Sequence, residues 1–173
     1  MKISILLPYK ENFSPDYAGA VSIFINSVSK LSKFKKNITV YGNTDYKKIF
    51  PINYVNIPLN KKFLISQSND YVKKFINLES KDFSDIIEVH NRPLYINLLK
   101  NQRSKLILYF HNDPITMNGS KKTNERLSLL NLCSKIIFNS EWSKKRFLKN
   151  LGKFYEKSSK LVVVHQSIDK KKG

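Results

Sequence analysis

The sequence holds three histidines, and each directly follows a short apolar run. His90 follows DIIEV, His111 follows LILYF and His165 follows LVVV. Polar residues come next each time: Asn91 and Arg92, Asn112 and Asp113, Gln166 and Ser167. Asn139 and Ser140 take the same place after KIIF. A short apolar run bounded by turn residues suits a strand buried on both faces, as in a parallel sheet. Such a sheet binds ligands just beyond the C-terminal ends of its strands. Imidazoles, amides, a guanidinium and a carboxylate gathered along that edge would line a cleft equipped for acid–base chemistry, each histidine on its own being equally at home as a hydrogen-bonded loop residue.

Gly19 stands at the start of the first expected helix. A glycine there either lets backbone N–H groups approach an anion at the positive end of the helix dipole or merely closes the loop. The loop before it lacks G-x-G-x-x-G, so dinucleotide binding of that kind is not expected. No G-x-x-x-x-G-K-[ST] and no G-x-S-x-G occur, which argues against a P-loop ATPase and an α/β-hydrolase. The histidines show no zinc spacing, and no metal site is expected at His90, His111 and Asp113. The single cysteine, Cys133, reads as a small buried hydrophobe in a reducing cytoplasm.

The elements that must position these residues alternate along the chain. Strands are expected at residues 2–7, 37–42, 53–57, 85–90, 105–110, 135–138 and 161–164. Between them, apolar residues at three- and four-residue spacing mark helices. The first, 20–34, carries Ala20, Val21, Phe24, Ile25, Val28 and Leu31 as its apolar set. Others span 68–78, 94–102 opened by Pro93, 123–133 with Leu127, Leu130 and Leu132 or Cys133 inward, and a segment from the N-cap Ser140 to about 151, stopped by Gly152. Strand and helix in alternation predict an α/β fold: a Rossmann-like parallel sheet with helices on both faces.

At 173 residues, 41% hydrophobic and 12% aromatic, the chain is long and apolar enough for one domain with a real core. No apolar run reaches the roughly 18–20 residues of a membrane span, and MKISILL reads as a first strand rather than a secretion signal. The formal charge of +18 points to an anionic partner or to a general lysine bias. No nucleic-acid-binding motif accompanies it, so no specific nucleic-acid partner is expected.

Taken together, several segments resemble the N-terminal, acceptor-side domain of GT-B glycosyltransferases of the family 4-like kind. DIIEVHNRP looks like the family's D-hydrophobic-hydrophobic-H-x-H strand, and LILYFHNDP like its strand ending in histidine. CSKIIFNSEWSKKRFL is similar to A-D-x-I-I-x-x-S-x-x-x-K-x-x-L, and KLVVVHQSID to K-I-x-V-I-x-N-G-I-D. The departures are Ala18-Gly19 for the usual double glycine and His165-Gln166-Ser167 for the usual Asn-Gly. The flavour of HNRP, HNDP and FNSEW is that of bacterial enzymes building lipopolysaccharide or other surface glycans.

The resemblance implies that residues 1–169 form one half of a GT-B fold and that 170–173 are a basic tail or the start of a linker. A C-terminal donor-binding domain, with its Arg/Lys pair and E-x7-E motif, would lie outside these residues. The whole protein would transfer a sugar, with retention, from a nucleotide-sugar to a glycan or lipid-linked acceptor, using no cofactor or metal. Gly19 would face the donor diphosphate and His111 the donor sugar; Asp113 is the candidate base. His90, Asn91, Arg92, Asn112 and Ser140 would line the acceptor side. The implied location is cytoplasmic, with the basic, Trp142-bearing last helix at an anionic membrane surface or simply packed on the core. The alternative is a stand-alone, non-catalytic module that binds a glycan or an anion.

Overall fold

The structure is a computed structural model that describes residues 1–59 and 66–166. Strands β1 (Ile3–Leu6), β2 (Ile38–Gly42), β3 (Asn53–Asn56), β4 (Ile86–His90), β5 (Lys105–Phe110), β6 (Lys135–Phe138) and β7 (Leu161–Val163) form one sheet in the order 3-2-1-4-5-6-7. Every pairing is parallel. The helices are α1 (Ala20–Leu31), α2 (Gln67–Glu79), α3 (Pro93–Leu99), α4 (Thr123–Leu132) and α5 (Glu141–Leu148). The expected α/β architecture is therefore present, with the topological switch between β1 and β4, where open sheets of this kind leave a crevice.

Alternation along the strands sorts the core into two layers. Leu6, Ile87, Val89, Leu108, Phe110, Ile136 and Phe138 pack with Tyr71 and Phe75 of α2, Ile96 and Leu99 of α3, Leu129 and Leu130 of α4, and Phe147 of α5. Ile5, Leu7 and Val40 pack with Val21 and Ile25 of α1 and with Phe13 on the other face. Cys133 is buried in the first layer, and burial pushes its thiol up to about 12, an inert hydrophobe as expected.

Two helices sit differently from their sequence patterns. In α1, Val28 and Leu31 are exposed, whereas Ser22, Asn26 and Ser29 are buried. These recur at four- and three-residue spacing, so they form a short-side-chain stripe beside Val21 and Ile25. Helix α5 ends at Leu148, before the expected stop. Asn150 takes the left-handed turn at φ 64°, and Gly152 instead opens a 3-10 turn over Lys153–Lys157. In α4 the buried set is Arg126, Leu129 and Leu130, with Leu127 and Leu132 partly buried. Residues 167–169, which end the last sequence motif, and the tail 170–173 lie outside the described residues.

Candidate active site

The polar edge predicted from the sequence is assembled at the C-terminal ends of β1, β4 and β5. There Pro8, Glu11, Asn91, Arg92, His111, Asn112 and Gln166 surround the first turn of α1 and enclose a cleft of about 370 Å³. His111 is half-buried in its wall; Arg92 and Asn112 are exposed at its rim. Asn91 and Arg92 also line a second groove that continues toward Ser68 of α2 and Met117.

Two asparagines hold the backbone of His111. Its N–H donates to Asn91 Oδ1 at 2.8 Å, and its carbonyl accepts from Asn139 Nδ2 at 2.6 Å. Asn91 adopts φ 51°, a left-handed geometry that asparagine tolerates better than other non-glycine residues, and its own N–H donates to the Tyr109 carbonyl at 2.9 Å. The sequence marks Asn91 as a cleft residue; it lines the cleft, and its buried side chain also ties the end of β4 to the end of β5.

Behind the ring of His111 runs a polar chain along one face of the sheet. His90 Nδ1 lies 2.8 Å from His111 Nε2, and His90 Nε2 lies 2.7 Å from Glu88 Oε1. At the cleft end, His111 Nδ1 meets the side-chain amide of Gln166. Tyr109 stacks on both imidazoles, with centroids 5.3 Å from His90 and 4.4 Å from His111, and Phe24 of α1 meets His111 edge-on at 5.0 Å. This enclosure, with His90 adding to it, pushes the His111 pKa down to about 3, so the ring is neutral at physiological pH. Burial raises the Tyr109 phenol to about 12 and keeps it protonated, and its hydroxyl lies 3.2 Å from the Val164 carbonyl.

His90 itself is fully buried and supports His111 from behind rather than lining the cleft. His165 is exposed. Asp113 caps the 3-10 turn Pro114–Thr116 through Ile115 N–H and receives Arg146 of α5 in a two-point pair, Nη2 to Oδ2 at 2.8 Å and Nε to Oδ1 at 3.2 Å. The Arg146 hydrogen bonds hold its carboxyl below the usual carboxylate range. Ser140 is the N-cap of α5, accepting from Ser143 N–H at 3.2 Å and lying 3.3 Å from Asn139 Oδ1. Neither Asp113 nor Ser140 is among the residues that surround the cleft beside His111.

Gly19 is the N-cap of α1, and its neighbour in space is Glu11. The Glu11 carboxylate accepts from Ser22 N–H at 3.0 Å, filling the positive end of the helix with an internal anion. A Cβ on Gly19 would lie 2.0 Å from Glu11 Oε1, so a larger residue here would displace the Glu11 carboxylate from the helix end.

Glu11 and Glu88 are site residues that sequence reasoning passed over, whereas Asn139 and Gln166, marked there only as polar residues at strand ends, hold the His111 backbone and ring. Glu88 had a readable signal, a lone charge inside a strand expected to be buried on both faces. Glu11 comes from the loop after β1, and the sheet order sets β1 beside β4 at this edge.

No family model and no curated protein matches the sequence. Among solved structures, Anabaena HepE in complex with UDP-glucose matches with a TM-score of 0.64 and 14% identity over 98% of this chain. The match spans 45% of the HepE chain. A conserved protein from Enterococcus faecalis matches over 96% of this chain and 92% of its own at 12% identity, with a TM-score of 0.36, too low to establish a shared fold. The likeness to HepE is one of fold: this chain has the architecture of one Rossmann-like half of a GT-B protein.

Proposed function

We propose that residues 1–169 are the acceptor-side domain of a retaining, family 4-like glycosyltransferase that moves a sugar from a nucleotide-sugar to a surface-glycan or lipopolysaccharide precursor. The observation that carries this reading is the cleft at the β1–β4 switch, where the His111 ring, the first turn of α1 and the exposed Arg92 and Asn112 converge. HepE, solved with UDP-glucose, lends the nucleotide-sugar its plausibility as donor. A second domain would close the cleft, exclude water and hold the donor nucleotide.

In this reading the neutral His111 hydrogen-bonds a sugar hydroxyl beside the reacting carbon. The first N–H groups of α1, past Gly19, face the diphosphate once Glu11 has withdrawn, and they stabilise the leaving group without a metal. Arg92 and Asn112 contact the acceptor. Asp113, already paired with Arg146, positions α5 against the loop after β5 and leaves proton transfer to another group. Ser140 caps α5, and Asn91 and His90 act through His111.

Among the described residues no helix is long and apolar enough to cross a membrane. A lipid-linked acceptor would instead be met at the surface of α5. Trp142 of α5 is 57% exposed with Arg146 over its ring, Phe154 in the 3-10 turn that follows is 86% exposed, and Lys145, Lys149 and Lys153 are exposed in the same segment of chain. Aromatic rings among lysines suit the headgroup layer of an anionic, cytoplasm-facing membrane. Binding to phosphatidylglycerol vesicles that Lys145→Glu and Lys149→Glu leave unchanged would rule this surface out.

The test of the function is a panel of nucleotide-sugars offered to the complete protein. Transfer from one donor, with release of its nucleoside diphosphate, is the expected result. Glycan binding with no turnover of any donor would replace the enzyme with a binding module.

A further inference from the structure

The chain Glu88–His90–His111–Gln166 has a direction. Glu88 Oε1 is an acceptor, so His90 Nε2, 2.7 Å away, carries a proton toward it. A neutral His90 then has a bare Nδ1, and only a protonated His111 Nε2 can complete the 2.8 Å contact between the rings. That leaves His111 Nδ1 bare, and the Gln166 amide N–H donates to it. Every ring nitrogen is thereby matched with a complementary partner. Reversing the sequence requires a further proton on the Glu88–His90 pair. The stacked Tyr109 and the edge-on Phe24 fix both ring planes, and a half-turn of either ring within its plane would put carbon atoms where nitrogens now make these contacts.

We propose that Glu88 and His90 are positioning residues that lock His111 in its Nε2-protonated form, so that the atom it turns to the cleft is a hydrogen-bond acceptor. This rests on the reading of His111 as the sugar-facing residue and adds a selection rule to it. A bare Nδ1 accepts from a sugar hydroxyl. A phosphate or carboxylate oxygen offers it no proton and is turned away. Gln166 occupies the position of that hydroxyl, its amide standing in for the donor group. The cleft is thus divided: a hydroxyl at His111, an anion at the first turn of α1.

The test is a long-range proton–nitrogen correlation spectrum of the uniformly labelled chain, in which a bare ring nitrogen is resolved from a protonated one. With three histidines the rings are few enough to assign by single substitutions. The expected spectrum has His111 bare at Nδ1 and protonated at Nε2. Glu88→Ala and His90→Phe should each convert His111 to a mixture of the two forms, whereas Glu88→Gln, which keeps an acceptor oxygen, should restore the single form. A proton on His111 Nδ1 in the wild-type chain overturns the proposal, and so does a His111 pattern indifferent to Glu88→Ala. If those two variants fail to fold, the wild-type spectrum and Glu88→Gln still decide. In the complete protein, one of a panel of nucleotide-sugars that includes UDP-glucose should shift the His111 Nδ1 resonance while leaving it bare. The expected pattern with no shift on any nucleotide-sugar of the panel supports the lock and counts against the nucleotide-sugar reading, so the two failures are told apart.

Discussion

The Glu11 carboxylate lies over Gly19 and accepts the Ser22 N–H at 3.0 Å, so the positive end of α1 already holds an anion. A donor diphosphate at that turn must displace it, and two negative charges cannot share the site. Glu11→Gln keeps the hydrogen-bond acceptor and removes the charge. If the proposed donor site is right, it should tighten nucleotide-sugar binding by the complete protein by roughly five-fold, about 1 kcal/mol of relieved repulsion. It should also lower fold stability by about 0.5 kcal/mol through the weakened helix-dipole interaction. Calorimetric titration and urea unfolding read the two effects, and equal affinities in the two proteins would remove the diphosphate from this turn.

Asp113 was the carboxylate best placed by sequence to act as a base. Arg146 engages both of its oxygens and favours the ionised form. A carboxylate held so strongly has little tendency to take a proton. Asp113→Asn should therefore reduce transfer by less than about ten-fold, against the roughly 10²–10⁴ expected for loss of a general base. Steady-state kinetics of the complete protein separates the two roles.

The enclosed His111 makes stability depend on pH in a stated direction. Its pKa falls from 6.5 to about 3 on folding, because burial and His90 both oppose its charge. Below 6.5 the unfolded chain binds a proton that the folded chain refuses, until the pH reaches about 3. The stabilisation is complete above the higher value and is lost as pH falls, at up to about 1.4 kcal/mol per pH unit. Melting temperatures between pH 4 and pH 7 should therefore drop more steeply for the wild type than for His111→Asn. Parallel curves would mean that the folded ring takes up its proton normally.

Arg126 is 2% exposed and works through its donors. Nη1 donates to the Ser120 and Lys121 carbonyls at 3.0 and 2.7 Å, and Nη2 to the Lys149 carbonyl at 2.6 Å. It fastens the loop after β5 to the end of α5, which carries Arg146. Arg126→Met fills the space and leaves these carbonyls without a donor. It should cost about 2–4 kcal/mol in urea unfolding. A loss below about 0.5 kcal/mol would show that the carbonyls find other partners.

How much of this was legible beforehand differs by level. The strands were, because runs such as LILYF and KIIF are apolar on both faces and end in turn residues; Lys105–Phe110 and Lys135–Phe138 coincide with β5 and β6. The inward face of α1 was less so, since Ser22, Asn26 and Ser29 are short enough to lie inward while Val28 and Leu31 stay outside. Hydrophobicity alone points the other way. At the site, His111 was visible from its place at a strand end. Asn139 and Gln166 were visible only as polar residues at other strand ends; that they and Glu88 meet His111 itself follows from strand order and register, which periodicity does not encode. Gly119 makes the same point: at φ 93°, packed so that a Cβ would lie 2.7 Å from Leu94 N, it seats the loop after β5 against α3.

The central claim is that the His111 wall of the cleft belongs to a sugar-transfer site. The measurement that tests it most directly is the transfer rate of the complete protein with the nucleotide-sugar it uses, compared with His111→Ala of unchanged circular dichroism. The account predicts a fall of about 100-fold or more, the loss of a hydrogen bond felt in the transition state. An unchanged rate would contradict it.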